Sequence, residues 1–367
     1  MEIVTSILMI KTGSLGDVLR TTSVLPGLER RFPDMELTWL VAPGAAPLVE
    51  RHRLVSGVVP CEPSDPASLE AARAALTARS GGRWDWVLSL DDEESLCAFA
   101  ASLDAARLSG ATVDAEGRPT YTDDVEEWFG MGLLSKDGKE AADRRKRENQ
   151  RTHPAIHADM LGVESGKPEL PLPDEARAAA AALARGAGLE DTTLVCGLNT
   201  GAGDRWRSKE LPVERVVEVA GGLATALGRE VTFLVLGGPA ERERNDRIVA
   251  GVAALGAPAR VVDAGTDHDL CTFAAVVGLC DLLITSDSLA LHMGVAMDVP
   301  IVSFFAPTSA AEIDLYGLGE KVASTAPDYC SYRSDADRST LTAERLVGAA
   351  ARVLAAHAGR PRLVSRT

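Results

Sequence analysis

The chain has 367 residues, 46% hydrophobic and 25% charged, enough for two ordinary soluble domains that each bury a core. Its 53 Asp and Glu outnumber 38 Lys and Arg, and the formal net charge of -15 works against unspecific binding to nucleic acid or to an anionic membrane. The six cysteines, Cys61, Cys97, Cys196, Cys271, Cys280 and Cys330, are scattered without a CxxC pair, which points to reduced residues in a cytoplasmic protein rather than a metal site or a disulfide framework.

The apolar stretch Ile3 to Ile10, broken by Thr5 and Ser6, is too short for a signal-peptide core with a cleavage site, and no run reaches the ~18 apolar residues of a membrane span. Peripheral membrane contact stays open. Ile7 to Ile10 reads as a buried strand, followed by a tight loop, Lys11 to Gly16, and a helix from Asp17 to about Arg31. Glu36 to Val41, Val55 to Val59 and Trp86 to Leu90 read as strands, with an Ala-rich helix from Leu69 to Arg79 between the last two. From Ala115 to about Gln150 the pattern dissolves into charged, Gly-containing sequence around Trp128-Phe129, which reads as a loop or lid bordering a cleft. Its basic run, Arg144-Arg145-Lys146-Arg147, reads as a solvated face.

Residues 1–167 thus form one alternating α/β domain, and the Pro-rich segment 168–173 suits a stiff linker. The second domain, 174–341, repeats the alternation. It has a helix from Asp174 to Arg185, strand Leu194 to Leu198, helix Val213 to Leu227, strand Val231 to Leu236, helix Glu241 to Leu255, strand Arg260 to Val262 and helix Leu270 to Leu279. Leu282 to Thr285 is then a buried strand stopping at Ser286, Asp287 and Ser288, which can cap a helix to about Met297, and Ile301 to Phe305 is another strand. The tail 342–367 holds a last helix, Thr342 to His357, free to cross back to the first half.

Three loops in this reading lie at carboxyl ends of parallel strands, where open α/β sheets bind ligands. The first, Lys11-Thr12-Gly13-Ser14-Leu15-Gly16-Asp17, has two glycines for a tight turn and close backbone approach; taken alone, Asp17 is simply a helix N-cap. The second runs from Asn199 to Pro212 and joins a Gly-rich turn at Thr200, Gly201 and Gly203 to Arg205, Arg207 and Lys209, cations beside free amides as a diphosphate needs; a solvent loop is the plain alternative. The third is the helix start at Asp287 and Ser288, an anion site by its orphan amides and dipole, with His292 five residues on. A histidine in an apolar helix is more often a core residue than a catalyst.

In this order the three loops resemble glycosyltransferase family 9, the ADP-heptose:lipopolysaccharide heptosyltransferases. ILMIKTGSLGDVLRTTSVLPGLERRFPDMELTWLV is similar to the family's opening strand, Ser-x-Gly-Asp loop and helix. GLNTGAGDRWRSKELPVERVVEVA resembles its phosphate loop, and ITSDSLALHMGVAMDVPIVSFFAPT its Asp-Ser/Thr-Gly-x-x-His block. The resemblance covers nearly the whole chain, weakest from about 91 to 167. It implies the GT-B fold, two Rossmann-like domains facing across a cleft, with the acceptor on the N-terminal side and the nucleotide-sugar on the C-terminal side. It makes Asp17 the catalytic base and Lys209 the lysine on the donor diphosphate. Ser14 and Gly16 fall in the first binding loop, Thr200 and Gly201 in the phosphate loop, and Asp287, Ser288 and His292 in the donor block. Glu241 falls near an acidic residue that meets the nucleoside. Leu289 and Ala290 stand where the family has Gly and its neighbour, and Ser89-Leu90-Asp91-Asp92-Glu93 is more acidic than the usual strand end.

The implied reaction is inverting transfer of a heptose or related sugar from a nucleotide donor, with ADP the expected nucleotide, to a lipopolysaccharide-core, other glycan or small-metabolite acceptor. No cofactor and no metal are expected: there is no persuasive DxD metal motif, Asp335-Ala336-Asp337 reads as surface, and Lys209, amides and a helix N-terminus can hold the leaving group's charge. Two alternatives stay open. A GT-B sugar-nucleotide epimerase would need no acceptor cleft, and the Lys11 to Asp17 loop speaks against it. A non-catalytic sugar-nucleotide binding protein is favoured by Leu289 and opposed by Asp17 and Lys209.

Overall fold

The computed structural model describes residues 5–189, 192–201, 203 and 207–366. They divide into two compact units, parting between Pro171 and Leu172, inside the Pro-rich segment. In the first unit β1 (Thr5–Ile10) leads to α1 (Leu15–Thr21), a 3-10 turn over Thr22–Val24, and α2 (Leu25–Arg31). The single helix expected from Asp17 to Arg31 is therefore interrupted. Pro26 lies in the first turn of α2 and has no N–H to continue the ladder from the preceding turn.

The unit continues with β2 (Met35–Val41), β3 (Gly57–Pro60), α3 (Pro66–Ser80), β4 (Arg83–Ser89), α4 (Glu94–Ala101) and β5 (Asp104–Val113). Helix α3 is bounded by its sequence: the Asp65 carboxylate accepts the Ala67 N–H, Pro66 opens the first turn, and Gly81 ends it at φ 65. Then come β6 (Pro119–Tyr121), α5 (Glu126–Phe129), α6 (Lys139–Glu148) and α7 (His153–Leu161). The segment read as a loop or lid is thus mostly ordered elements. Tyr121, Val125, Phe129 and Met131 share a core with Cys97, Ala111, Ile156 and Met160. The pattern failed there because β5 is exposed along its first half and α6 buries only Ala142. The basic run lies on α6, where Arg145 pairs with Glu126 at 2.9 Å and with Asp137.

In the second unit α8 (Asp174–Gly186) precedes β7 (Val195–Asn199), α9 (Val213–Leu227), β8 (Val231–Val235), α10 (Arg242–Ala253), β9 (Ala259–Asp263), α11 (Leu270–Val277), β10 (Leu282–Ser286), α12 (Leu289–Ala296) and β11 (Ile301–Phe305). Every residue of β7, β8, β10 and β11 is buried, as in a parallel sheet covered on both faces. An unanticipated β12 (Gly319–Ala323) follows; GEKVA buries only Val322, so it carries little strand signal. The last helix, α13 (Ala343–Ala356), places Leu346, Ala349, Ala350 and Val353 in the second unit's core beside Val216 and Leu223. Among the described residues no helix is long and apolar enough to cross a membrane.

The first sheet runs β3-β2-β1-β4-β5-β6, parallel except for β6, and the second runs β12-β11-β10-β7-β8-β9, all parallel. Numbered within its own unit, each has strand order 3-2-1-4-5-6. The order reverses between β1 and β4 and again between β7 and β10, and the crevice outside the carboxyl ends of those strands is where such sheets take ligands.

Candidate functional site

At the first reversal point the loop after β1 is anchored by Trp39, whose indole N–H donates to the Lys11 carbonyl at 3.0 Å. Ser14 stands at the N-cap of α1 but forms no side-chain cap; its hydroxyl instead donates to Asp17 Oδ2 at 3.2 Å. Asp17 Oδ1 receives Arg20 Nη2 at 2.8 Å. Asp17 is therefore not the N-cap that the loop alone suggested, since it lies in the first turn. Gly16 is the second residue of α1, and neither Gly13 nor Gly16 takes a positive φ. A Cβ at Gly13 would meet open space, so this turn does not depend on glycine's left-handed freedom.

The loop after β4 reaches the same place. Lys11 Nζ donates to Asp91 Oδ1, while the Thr12 N–H and hydroxyl donate to Oδ2, the hydroxyl at 2.8 Å. Burial alone would lower the Lys11 pKa, but the Asp91 and Asp17 charges and the Asp91 hydrogen bond outweigh it, and the ammonium is held above its ordinary value. Burial, reinforced by Asp91, pushes the Glu93 carboxyl up. The acidic strand end is thus partly neutralised from within.

At the second reversal point β7 ends at Asn199, whose amide donates to Thr285 Oγ1 at 3.4 Å and Ser288 Oγ at 3.3 Å. Ser288 is the N-cap of α12, and its hydroxyl lies 3.1 Å from Thr285 Oγ1. Ser286 donates to the Gly201 carbonyl at 3.1 Å, tying β10 to the Gly-rich turn. Lys209 Nζ donates to both the carbonyl and Oδ2 of Asp287 at 2.9 Å, with the two side chains 16% and 18% exposed. Thr200 offers its hydroxyl and carbonyl to Arg244 at 3.0 and 3.1 Å. Burial of Arg244 lowers its pKa in spite of Glu210.

Glu241 binds backbone here: Oε1 accepts the Gly203 N–H at 3.1 Å and Oε2 the Gly238 N–H at 2.7 Å. A Cβ at Gly201 would fall 2.0 Å from Glu241 Oε1, so Gly201 is required for this carboxylate to enter the turn. His292 is buried within α12, 7% exposed. The structure brings Thr200, Gly201, Lys209, Glu241, Asp287 and Ser288 to one end of the second sheet, and Ser14, Gly16 and Asp17 to the same end of the first. Arg205 lies outside the described residues.

Asn199, Arg244 and Arg20 also take part and were not singled out. Asn199 had a legible signal, an amide side chain ending a buried strand; Arg244, inside the charged helix sequence RERNDR, had none. Among the described residues no group of three or more His, Cys, Asp or Glu gathers as a metal site. Asp335 pairs with Arg333 at 2.7 Å and Asp337 holds the Ser339 N–H at 2.7 Å.

Residues 130–339 match the model of glycosyltransferase family 9 (heptosyltransferase). No curated protein sequence matches the chain. Among solved structures, a glycosyl transferase family 9 protein from Veillonella parvula is similar at TM-score 0.72 and 21% identity, covering 97% of this chain and 99% of that one. The Escherichia coli ADP-heptose lipopolysaccharide heptosyltransferase II is similar at TM-score 0.63 and 16% identity, covering 96% and 99%. The E. coli heptosyltransferase WaaC with ADP is similar at TM-score 0.59 and 19% identity, covering 95% and 100%. These likenesses give the two Rossmann-like domains their fold name, GT-B.

Proposed function

Because the chain belongs to glycosyltransferase family 9 and is a glycosyltransferase, we propose that it moves a heptose or related sugar from an ADP-linked donor to an acceptor hydroxyl, with inversion and without a divalent metal. The observation that carries this reading is the cluster at the carboxyl ends of β7 and β10. There Lys209, the amides around Thr200 and Gly201, and the N-terminus of α12 offer a cation and orphan donors to a diphosphate. ADP is the nucleotide bound in the similar WaaC structure, which supports the base assignment.

The chemistry follows from charge. The anomeric carbon becomes oxocarbenium-like, the acceptor hydroxyl loses a proton and the diphosphate leaves with added negative charge. Asp17 takes the proton. Lys209 stabilises the leaving group after yielding its contact with Asp287, and a single displacement inverts the anomeric centre. The acceptor is a lipopolysaccharide-core hydroxyl or that of another glycan or metabolite.

A thermal-shift screen of nucleotide sugars tests the donor: a true donor at 100 times its dissociation constant adds about 2.7 kcal/mol of stability. Proton NMR of the product formed in excess chelator tests the rest. Retained configuration, or activity that returns only with added manganese or magnesium, would overturn it.

A further inference from the structure

The aromatic residue Trp128, unexplained by the sequence, sits where it bears on Asp17. Arg20 is 9% exposed, and its guanidinium lies between two partners: Nη2 is 2.8 Å from Asp17 Oδ1, and the guanidinium carbon is 5.6 Å from the centre of the Trp128 ring. Behind Trp128 stand two buried imidazoles of α7. The Trp128 ring meets His153 edge-on at 4.7 Å and His157 at 4.9 Å, and the two imidazoles are 3.7 Å apart. Burial, reinforced by Arg20, holds His157 down to about 3, so this imidazole is uncharged at neutral pH and does not repel the guanidinium. Arg20 Nε is buried without a hydrogen-bond partner among the described residues. A guanidinium with a buried, unsatisfied N–H is held by something other than its own hydrogen-bond optimum, and the Asp17 pair and the Trp128 face are what hold it.

We propose that Arg20 is a positioning residue for Asp17: clamped against Trp128, it fixes one oxygen of the Asp17 carboxylate while Ser14 holds the other, leaving a single orientation for proton abstraction. The proposal rests on the assignment of Asp17 as the base. A carboxylate on the first turn of a short helix has free rotation about two bonds, and misplacing a base by about 1 Å costs on the order of 100-fold in rate. Among the charged and titratable groups that act on Asp17 are Arg20, Lys11 and His157, besides the Ser14 hydroxyl.

The test uses the full chain, with an ADP-sugar donor and an acceptor found active in the screen above. Arg20→Ala is expected to lower kcat by roughly 10- to 100-fold with the donor KM unchanged. The acid limb of its kcat/KM profile should move to higher pH, because a cation beside a carboxylate favours the charged form. Arg20→Lys should restore the limb but not the full kcat, and Trp128→Leu should lower kcat by a smaller factor. Carbon NMR titration of the Asp17 carboxyl reads the same displacement without turnover, in Arg20→Ala or, if that variant folds poorly, in Arg20→Gln, which also removes the cation. An unchanged pH limb and carboxyl titration in folded Arg20→Ala or Arg20→Gln would overturn the positioning role while leaving the base intact. Full activity in Asp17→Asn would overturn the base, and the positioning role with it.

Discussion

The two reversal points carry the same pair of residue types in two different settings. In each unit a lysine from the loop after the first strand meets an aspartate just beyond the fourth strand: Lys11 with Asp91, and Lys209 with Asp287. Shared strand order explains the recurrence, since it brings those two loops together in both sheets. The settings differ. Asp91 is 4% exposed, takes three donors from Lys11 and Thr12 and lies under a buried ammonium, whereas the side chain of Asp287 is 18% exposed beside a Gly-rich turn and a helix N-terminus. A buried pair whose oxygens are saturated locks a loop, while a half-buried pair can exchange one anion for another. Similar chemistry therefore does structural work in the first unit and, under the proposed function, meets the donor diphosphate in the second.

The largest effect is expected where the pair is locked. Lys11→Met should cost roughly 3 to 5 kcal/mol in urea unfolding, because it leaves Asp91 as a buried charge without its cation. The double variant Lys11→Met/Asp91→Leu should recover most of that loss, since a well-packed apolar pair replaces a buried ion pair at little net cost. A single-variant loss below about 1 kcal/mol would erase the distinction between the two settings.

Next is Asp17→Ala, which removes the proposed base and leaves the Lys11–Asp91 pair in place. Turnover should fall by about 100-fold or more while donor binding stays nearly intact. Activity within a few fold of the parent would reduce Asp17 to a first-turn carboxylate paired with Arg20. For the open pair, Lys209→Ala should weaken nucleoside diphosphate binding by ~1.5 to 3 kcal/mol, the scale of a charge-assisted hydrogen bond, with little change in unfolding free energy. Unchanged affinity by calorimetry would show that Lys209 serves Asp287 alone.

The sequence shows the fully buried parallel strands and the loops after β1, β7 and β10, because continuous apolar runs stopping at Gly, Ser or Asp have few other readings. It does not show β5 or β12, which bury too few residues, nor that Pro26 splits the first helix into two. It identifies Asp17, Lys209 and Asp287 as residues of interest but not their partners. Lys11 with Asp91, and Asp17 with Arg20 against Trp128, depend on strand order and on the packing of α5 and α7, which no local pattern encodes. Glu241 illustrates the gap: its side chain bridges two Gly-rich turns through backbone N–H groups, and the missing Cβ atoms of Gly201 and Gly237 let it do so.

The smallest effect expected separates the units by pH. His157 is held near 3 by burial and by Arg20, against an ordinary value of 6.5, so the folded state stays unprotonated where the unfolded chain takes up a proton. Between those values the unfolded state binds more protons, so stability rises with pH; it is complete above 6.5 and is lost as pH falls toward 3. From pH 7 to pH 6 only the upper edge of that window is crossed, and the loss should be under about 1 kcal/mol, increasing as the pH is lowered further. His157→Phe removes the titrating group and keeps an aromatic ring against Trp128, so its unfolding free energy should change less over the same interval. Identical pH slopes for parent and variant would place the acid sensitivity elsewhere in the chain and show that His157 is not kept neutral by its burial.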